Sequence, residues 1–302
     1  MSVWYEGNIV LIQTTLIYAL LSLSFQVVLR AGVFSLASVG FYGLGAYTFA
    51  MLTLHGTNVW LAFLAVIVAA VVLGLLVGML VNRLRGLYLA LFTVAFDLIL
   101  TVVATNGGDL TGGPVGLFGV PPVLGTGGMA VLVVIAVLVV WQLERHSLGR
   151  SFEALRLNED MARSVGVEVG RRRMVVFCTS AVLGACAGVA NISAFTTISP
   201  QTAGFPLVTT GLTMAVLGGI GRWQGALIGA VIVAWLPEVL GDVGDYQAVV
   251  NGAIIIVLVV FAPDGVLGLA IRGWRRLRRR REPEPGPPTS APAPDQTVQE
   301  RV

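Results

Sequence analysis

The chain is written in long apolar blocks separated by short polar or glycine-rich breaks. Residues 9–29, 59–81, 87–104, 129–143, 174–192 and 249–262 are almost free of charge. A helix needs roughly 20 apolar residues to cross the hydrocarbon core of a bilayer, and most of these blocks approach that length. Two further stretches, 34–54 and 207–240, are apolar but rich in glycine. The second is long enough for two spans hinged at Gly221-Arg222-Trp223. The pattern predicts an all-α, polytopic membrane helical bundle of about nine transmembrane spans.

Arginine placement predicts the orientation of that bundle. The chain has no lysine, so all 19 basic residues are arginines. Arg30, Arg83, Arg85, the arginines of 145–173, Arg222 and those of 272–281 fall on one side when the spans are threaded alternately. The opposite loops hold Glu6, Asp109, Asp242 and Asp245 and no arginine. Basic excess marks the cytoplasmic face, which predicts an N-out, C-in protein of the inner membrane. The first apolar block lacks a basic leader and a small-residue cleavage site, so it is expected to remain as an anchor.

Composition agrees with this picture. Hydrophobic residues make up 56% of the 302, charged residues only 12%, and the mean hydropathy is +0.86. A soluble domain carries about 25% charged residues. Residues 1–271 read as one transmembrane domain, with a single substantial cytoplasmic loop at 144–173. Residues 272–302 read as a basic juxtamembrane run and a Pro-, Ser- and acid-rich tail, expected to be disordered. The basic run, with Trp274 and Leu277, suits anionic lipid headgroups, so membrane lipid accounts for its charge without nucleic acid.

Little in the chain supports enzyme chemistry. A phosphate-binding P-loop needs its lysine, as does a retinal Schiff base, and neither can form here. His55 and His146 stand alone, without metal-ligand spacing, and no HExxH or GxSxG occurs. Cys178 and Cys186 lie about 12 Å apart along one predicted helix, too far for a bridge, and read as small core residues.

Three features carry candidate function. The first is a helical pattern over 152–165, bracketed by Gly149 and Gly166 as its ends. Ala154, Leu155, Leu157, Met161, Ala162 and Val165 share one face, while Glu153, Arg156, Glu159, Asp160 and Arg163 share the other. Arg156 with Asp160, and Glu159 with Arg163, stand at i,i+4. The apolar face needs a cover: lipid, the protein's own bundle or a partner protein. The second is Asp97, the acid deepest within a predicted span, which fits either a pathway group or a hydrogen-bonded packing residue. The third is glycine, at Gly32, Gly40, Gly43 and Gly45 and again from Gly211 to Gly229. Small residues allow close helix packing, and Gly-interrupted segments also build broken-helix pathways. On the second reading Gly43, Gly45, Gly218 and Gly219 are pathway candidates beside Asp97.

The ordered motifs resemble a known family, the branched-chain amino acid ABC permeases, and specifically the second of their paired permeases. They begin with Gly32-Val33-Phe34-Ser35-Leu36, then Phe41 and Gly45-Ala46-Tyr47. Arg83-Leu84-Arg85-Gly86-Leu87-Tyr88-Leu89-Ala90 and Thr111-Gly112-Gly113-Pro114 follow. Gly149-Arg150 with Asp160-Met161-Ala162 and Gly166 is similar to the importer loop and its E-A-A-xxx-G core. Ile198-Ser199-Pro200, Leu217-Gly218-Gly219-Ile220-Gly221 and Phe261 with Pro263 and Gly265 complete the series. Asp160-Met161 replaces the family's usual Glu-Ala, and Val115 an asparagine. Leu98 and Thr101 stand where relatives often carry Glu and Arg.

The resemblance implies a permease that pairs with a homologous second permease, two ATP-binding cassette subunits and an extracytoplasmic substrate-binding protein. ATP and its hydrolysis belong to the partner subunits, so no cofactor is expected in this chain. Leu157, Asp160, Met161, Ala162 and Gly166 would form the contact with an ATPase subunit. Related permeases carry branched-chain amino acids, urea or short amides. An ATP-independent secondary transporter or channel is the alternative; it accounts for Asp97 but gives the loop helix no task.

Overall fold

In the computed structural model the described residues are 7–84, 86–145, 147–164, 166–240, 252 and 265–268. The block at 249–262 (apart from Gly252), Arg85, His146, Val165, the run at 272–281 and the tail lie outside them. The described residues form ten α-helices, a 3-10 turn at Gly108–Leu110 and no strand. In chain order the helices are α1 (Ile9–Arg30), α2 (Ser38–Leu54), α3 (Val59–Val81), α4 (Leu87–Asn106) and α5 (Thr126–Arg145). They continue with α6 (Ser147–Leu157), α7 (Glu159–Ser164), α8 (Val169–Phe195), α9 (Phe205–Gly218) and α10 (Trp223–Leu240).

Five of these, α1, α3, α4, α5 and α8, are long and apolar enough to cross a membrane. Helices α2, α9 and α10 are apolar and shorter. The stretch 207–240 breaks where its glycines fall, between Gly218 and Trp223. Gly219 there has φ +110°, a conformation that side-chain-bearing residues rarely adopt. Helix α3 starts where the Asn58 side chain accepts a hydrogen bond from the Trp60 N–H at 3.0 Å.

Helix α8 is the mast of the bundle, with α1, α2 and α3 packed around it, α4 against α2, and α9 and α10 against α1. Small residues set these approaches. Gly45 of α2 lies against the Ala185 backbone of α8, and Gly184 and Gly188 of α8 lie against the backbone of α2. In α3, Ala62, Val66, Ala70, Gly74 and Gly78 recur every four residues and face inward. Leu61, Leu64, Val68, Val72 and Leu76 of the same helix are exposed. Lipid is as apolar as leucine, so close packing of small residues, not hydrophobicity, selects the inner face.

Polar groups inside the bundle are tied to one another. Ser24 donates to the Ser180 carbonyl at 2.8 Å, and the Ser24 and Ser38 hydroxyls lie 3.0 and 3.2 Å from that of Ser180. Three helices are thereby pinned at one point, with no polar atom of the knot facing hydrocarbon. Cys178 and Cys186 are free thiols on α8, as expected from their spacing.

Candidate functional site

The arginine-rich loop ends gather at one end of the bundle. Arg30, closing α1, pairs with Glu144 of α5, and Gln26 donates to Glu144 at 3.1 Å and to the Ile220 carbonyl at 3.4 Å. The α9–α10 hinge and the ends of α1 and α5 therefore meet. Gly32, with φ +74°, lies directly under the Arg156 backbone of α6. Only a residue without a Cβ fits that contact.

The loop helix expected over 152–165 is two helices. Asn158 ends α6 and caps α7: its side-chain oxygen accepts from the N–H groups of Asp160 at 2.9 Å and Met161 at 3.1 Å. Asparagine competes for backbone donors and so favours a helix start over a helix interior. Gly149 lies inside α6 rather than before it, while Gly166, at φ +83°, follows the end of α7 as the sequence suggests. Glu159 and Arg163 pair at 2.8 Å, and Glu159 also holds Arg173 of α8 at 3.0 Å. Arg156 and Asp160, separated by the break, form no ion pair.

The shared apolar face is divided by the same break. Phe152, Leu155 and Ala162 are buried in the protein's own bundle, whereas Leu157 is 82% exposed and Met161 70%. Asp160 and Gly166 are exposed beside them. A fixed segment thus presents two large apolar side chains outward at the arginine-rich end.

The second place of interest lies deeper. Helix α2 begins without a side-chain cap of its own. Two residues one turn apart on α4 supply it: Thr93 accepts from the Leu36 N–H at 3.1 Å, and Asp97 from the Gly40 N–H at 2.8 Å. A carboxyl at a helix N-terminus meets the positive end of the helix dipole. Asp97 is 8% exposed, and its other oxygen, Oδ2, is buried with no hydrogen-bond partner. It borders a cavity of 130 Å³ between α2 and α4, beside Gly40, Gly43, Tyr47 and Thr101.

Thr111, Pro200 and Ala203 line the same cavity. They arrive from two distant motifs joined by the Leu117–Ile198 bridge, with bonds of 2.9 and 3.0 Å, and by Gln201 donating to the Pro114 carbonyl at 3.3 Å. Of the glycine candidates, Gly43 borders this cavity. Gly45 and Gly218 lie at close helix contacts, and Gly219 forms the hinge. Tyr47 and Thr111 were legible only as members of motifs; both residues line the cavity because α2, α4 and the 111–116 loop converge there.

A lattice of apolar helices with exposed apolar outer faces, a mostly apolar cavity bordered by the buried Asp97 and a fixed outward loop segment defines a polytopic membrane transport protein. Residues 9–262 match the family described as the branched-chain amino acid transport system permease component. The chain is 30% identical to the high-affinity branched-chain amino acid transport system permease protein LivM of Escherichia coli K12, over 87% of this chain and 70% of LivM. It is also 31% identical to the autoinducer 2 import system permease protein LsrC of Enterobacter sp. strain 638, over 55% of this chain and 50% of LsrC. The ribose import permease protein RbsC of Escherichia coli K12 is 31% identical, over 45% of this chain and 46% of RbsC. No solved structure matches the chain.

The chain belongs to the branched-chain amino acid transport system permease family. It is a multi-pass, bacterial inner-membrane permease subunit of an ABC importer, not an enzyme and not an ATP-independent carrier.

Proposed function

We propose that this chain is the second-type permease of an importer that carries branched-chain amino acids, or related small polar solutes, into the cytoplasm. It pairs with a homologous permease and two ATP-binding cassette subunits and receives solute from an extracytoplasmic binding protein. ATP binds to those partner subunits and no cofactor resides in this chain. The observation that carries the reading is the exposed Leu157–Met161 pair on a segment otherwise anchored in the bundle. Such a pair needs a dry cover, and an ATPase groove supplies one. Asp160 and Gly166 shape the same contact, while Ala162, which is turned into the bundle, anchors the segment that carries it.

The chain threads the membrane about nine times, N-terminus out and C-terminus in, with the Arg30–Glu144 end on the cytoplasmic side. Eight apolar helices in alternation, completed by the block at 249–262, support that count. The arginines of one end and Asp109 at the other support the orientation. Both Asp109 and Arg163 are exposed. A single cysteine at position 109 is expected to react with an impermeant thiol reagent in intact cells, and one at position 163 only after lysis. External labelling at 163 overturns the threading.

The importer reading is tested on the purified chain and on the complex. The chain alone is expected to show no ATP hydrolysis, because it lacks a P-loop lysine. Affinity purification from its native membrane should bring down ATP-binding subunits. Hydrolysis by a preparation free of other subunits, or purification with no ATPase chain, counts against it.

A further inference from the structure

Gln26 is wholly buried near the end of α1, and its amide nitrogen donates in two directions. One bond runs to the Glu144 carboxylate at 3.1 Å, the other to the Ile220 carbonyl at 3.4 Å. Glu144 also pairs with Arg30, and these two side chains are only 12% and 17% exposed. Such a network holds one geometry, because each partner lost leaves another buried group unsatisfied. Its two ends differ in kind. Gly149 of α6 lies against the Glu144 backbone with no room for a Cβ, so a shift of α6 carries Glu144 with it. Ile220 lies in the break between Gly218 and Trp223, beside Gly219 at φ +110°. Glycine on both sides of Ile220 leaves that break free of the constraints a side chain imposes, and a few such residues at the ends of elements make a hinge.

We propose that Gln26 and Glu144 are positioning residues of the transport cycle, forming a link that passes displacement of the α6–α7 segment to the α9–α10 hinge. Coupling between separate places needs a contiguous physical path and an element with two arrangements. Here the path is Glu144–Gln26–Ile220, and the element is the glycine-flanked break. The chemistry of each member suits its place. A carboxylate only accepts, and Glu144 receives both Arg30 and the Gln26 amide. A glutamine amide nitrogen carries two hydrogens, one for the α5 side and one for the hinge. An aliphatic side chain or a carboxylate at position 26 has no donor to offer either. Arg30 keeps the Glu144 carboxylate charged and in place without touching the hinge bond. The link rests on the importer reading, since the displacement it passes on is the one an ATPase partner imposes at Leu157 and Met161.

The test uses the complete transporter with Cys178→Ala, Cys186→Ala and Arg222→Cys, which places one thiol at an exposed position of the hinge. Its rate of reaction with a soluble thiol reagent is compared before and after ATP and vanadate trap the ATPase subunits. Trapping is expected to change that rate in this reference complex. Gln26→Leu leaves the Arg30–Glu144 pair intact and is expected to keep membrane abundance, ATPase association and ATP hydrolysis. The change at position 222 should shrink about fivefold, the factor that one hydrogen bond of ordinary net strength supports. The double variant Gln26→Glu, Glu144→Gln separates a link from a staple. It restores an amide–carboxylate bond between α1 and α5 and leaves Arg30 a carboxylate one turn away, but gives the Ile220 carbonyl no donor. It is expected to behave as Gln26→Leu does. A full response in either variant shows that the network only staples α1 to α5 and overturns the link, as does loss of both variants from the membrane. No response at position 222 in a reference complex that vanadate does trap overturns it as well. A reference complex with no ATPase to trap overturns the importer reading instead.

Discussion

Transporter carrying Leu157→Asp or Met161→Asp is expected to keep its permease in the membrane and to lose both its ATPase subunits and its uptake. The two side chains are the exposed part of an apolar face whose Leu155 and Ala162 are seated in the bundle. Phe152 and Leu155 hold α6, Ala162 holds α7, and Glu159 ties α7 to Arg173 of α8. The segment is thus fixed before any partner arrives. An aspartate on its outer side leaves the isolated chain nearly unaffected, since exposed substitutions change stability by about 0.5 kcal/mol or less. In a dry contact the same carboxylate costs a few kcal/mol, which at roughly 1.4 kcal/mol per decade weakens docking about a hundredfold. Phe152→Asp provides the contrast: it strikes the chain's own core and should lower abundance itself. Co-purification of ATPase subunits and uptake assays read the difference. Full uptake with retained ATPase in both exposed-site mutants shows that the segment rests on lipid.

Gly45→Val is expected to remove the permease from the membrane, whereas Gly43→Ala, two residues away on the same helix, is expected to leave its abundance intact. A Cβ on Gly45 overlaps the backbone of Ala185, and helix α8 cannot yield there because Gly184 and Gly188 already press against α2. Backbone does not rotate aside as a side chain does. Overpacking costs about 1–3 kcal/mol when side chains can adjust, and more when they cannot. At Gly43 the nearest atom is the Ala203 Cβ at 3.4 Å, an ordinary contact. Alanine there also gains about 1 kcal/mol of helix propensity. Membrane abundance by immunoblot and thermal stability in detergent check both arms. Equal abundance of Gly45→Val and the unaltered chain contradicts the α2–α8 contact.

Much of the architecture follows from the sequence alone. Span-length apolar blocks require helices, because a bilayer offers no partner for a free backbone N–H or C=O. The helix at Val59–Val81 begins and ends where its apolar block does, and 207–240 divides close to the expected glycine hinge. The lack of lysine excludes a P-loop without reference to shape. The ordered motifs point to the family.

Which side of each helix faces inward was not legible in the same way. In a soluble protein hydropathy separates core from surface; in lipid both are apolar, so Leu64 and Val66 look alike in sequence though one is exposed and the other buried. The loop segment shows a related limit. Its periodicity gave one apolar face, but the Asn158 cap turned the chain and sent Leu155 and Ala162 inward while Leu157 and Met161 remained outside. Asp97 stood out as a buried acid, yet its bond to Gly40 and its company with Tyr47 and Thr111 depend on α2, α4 and a loop meeting in space. The sequence by itself determined that this protein is a helical membrane permease with one basic end, because hydropathy and charge act locally along the chain. Only the tertiary structure decided which apolar residues are free to dock and which residues share a cavity, because both depend on the rotation of each helix against its neighbours.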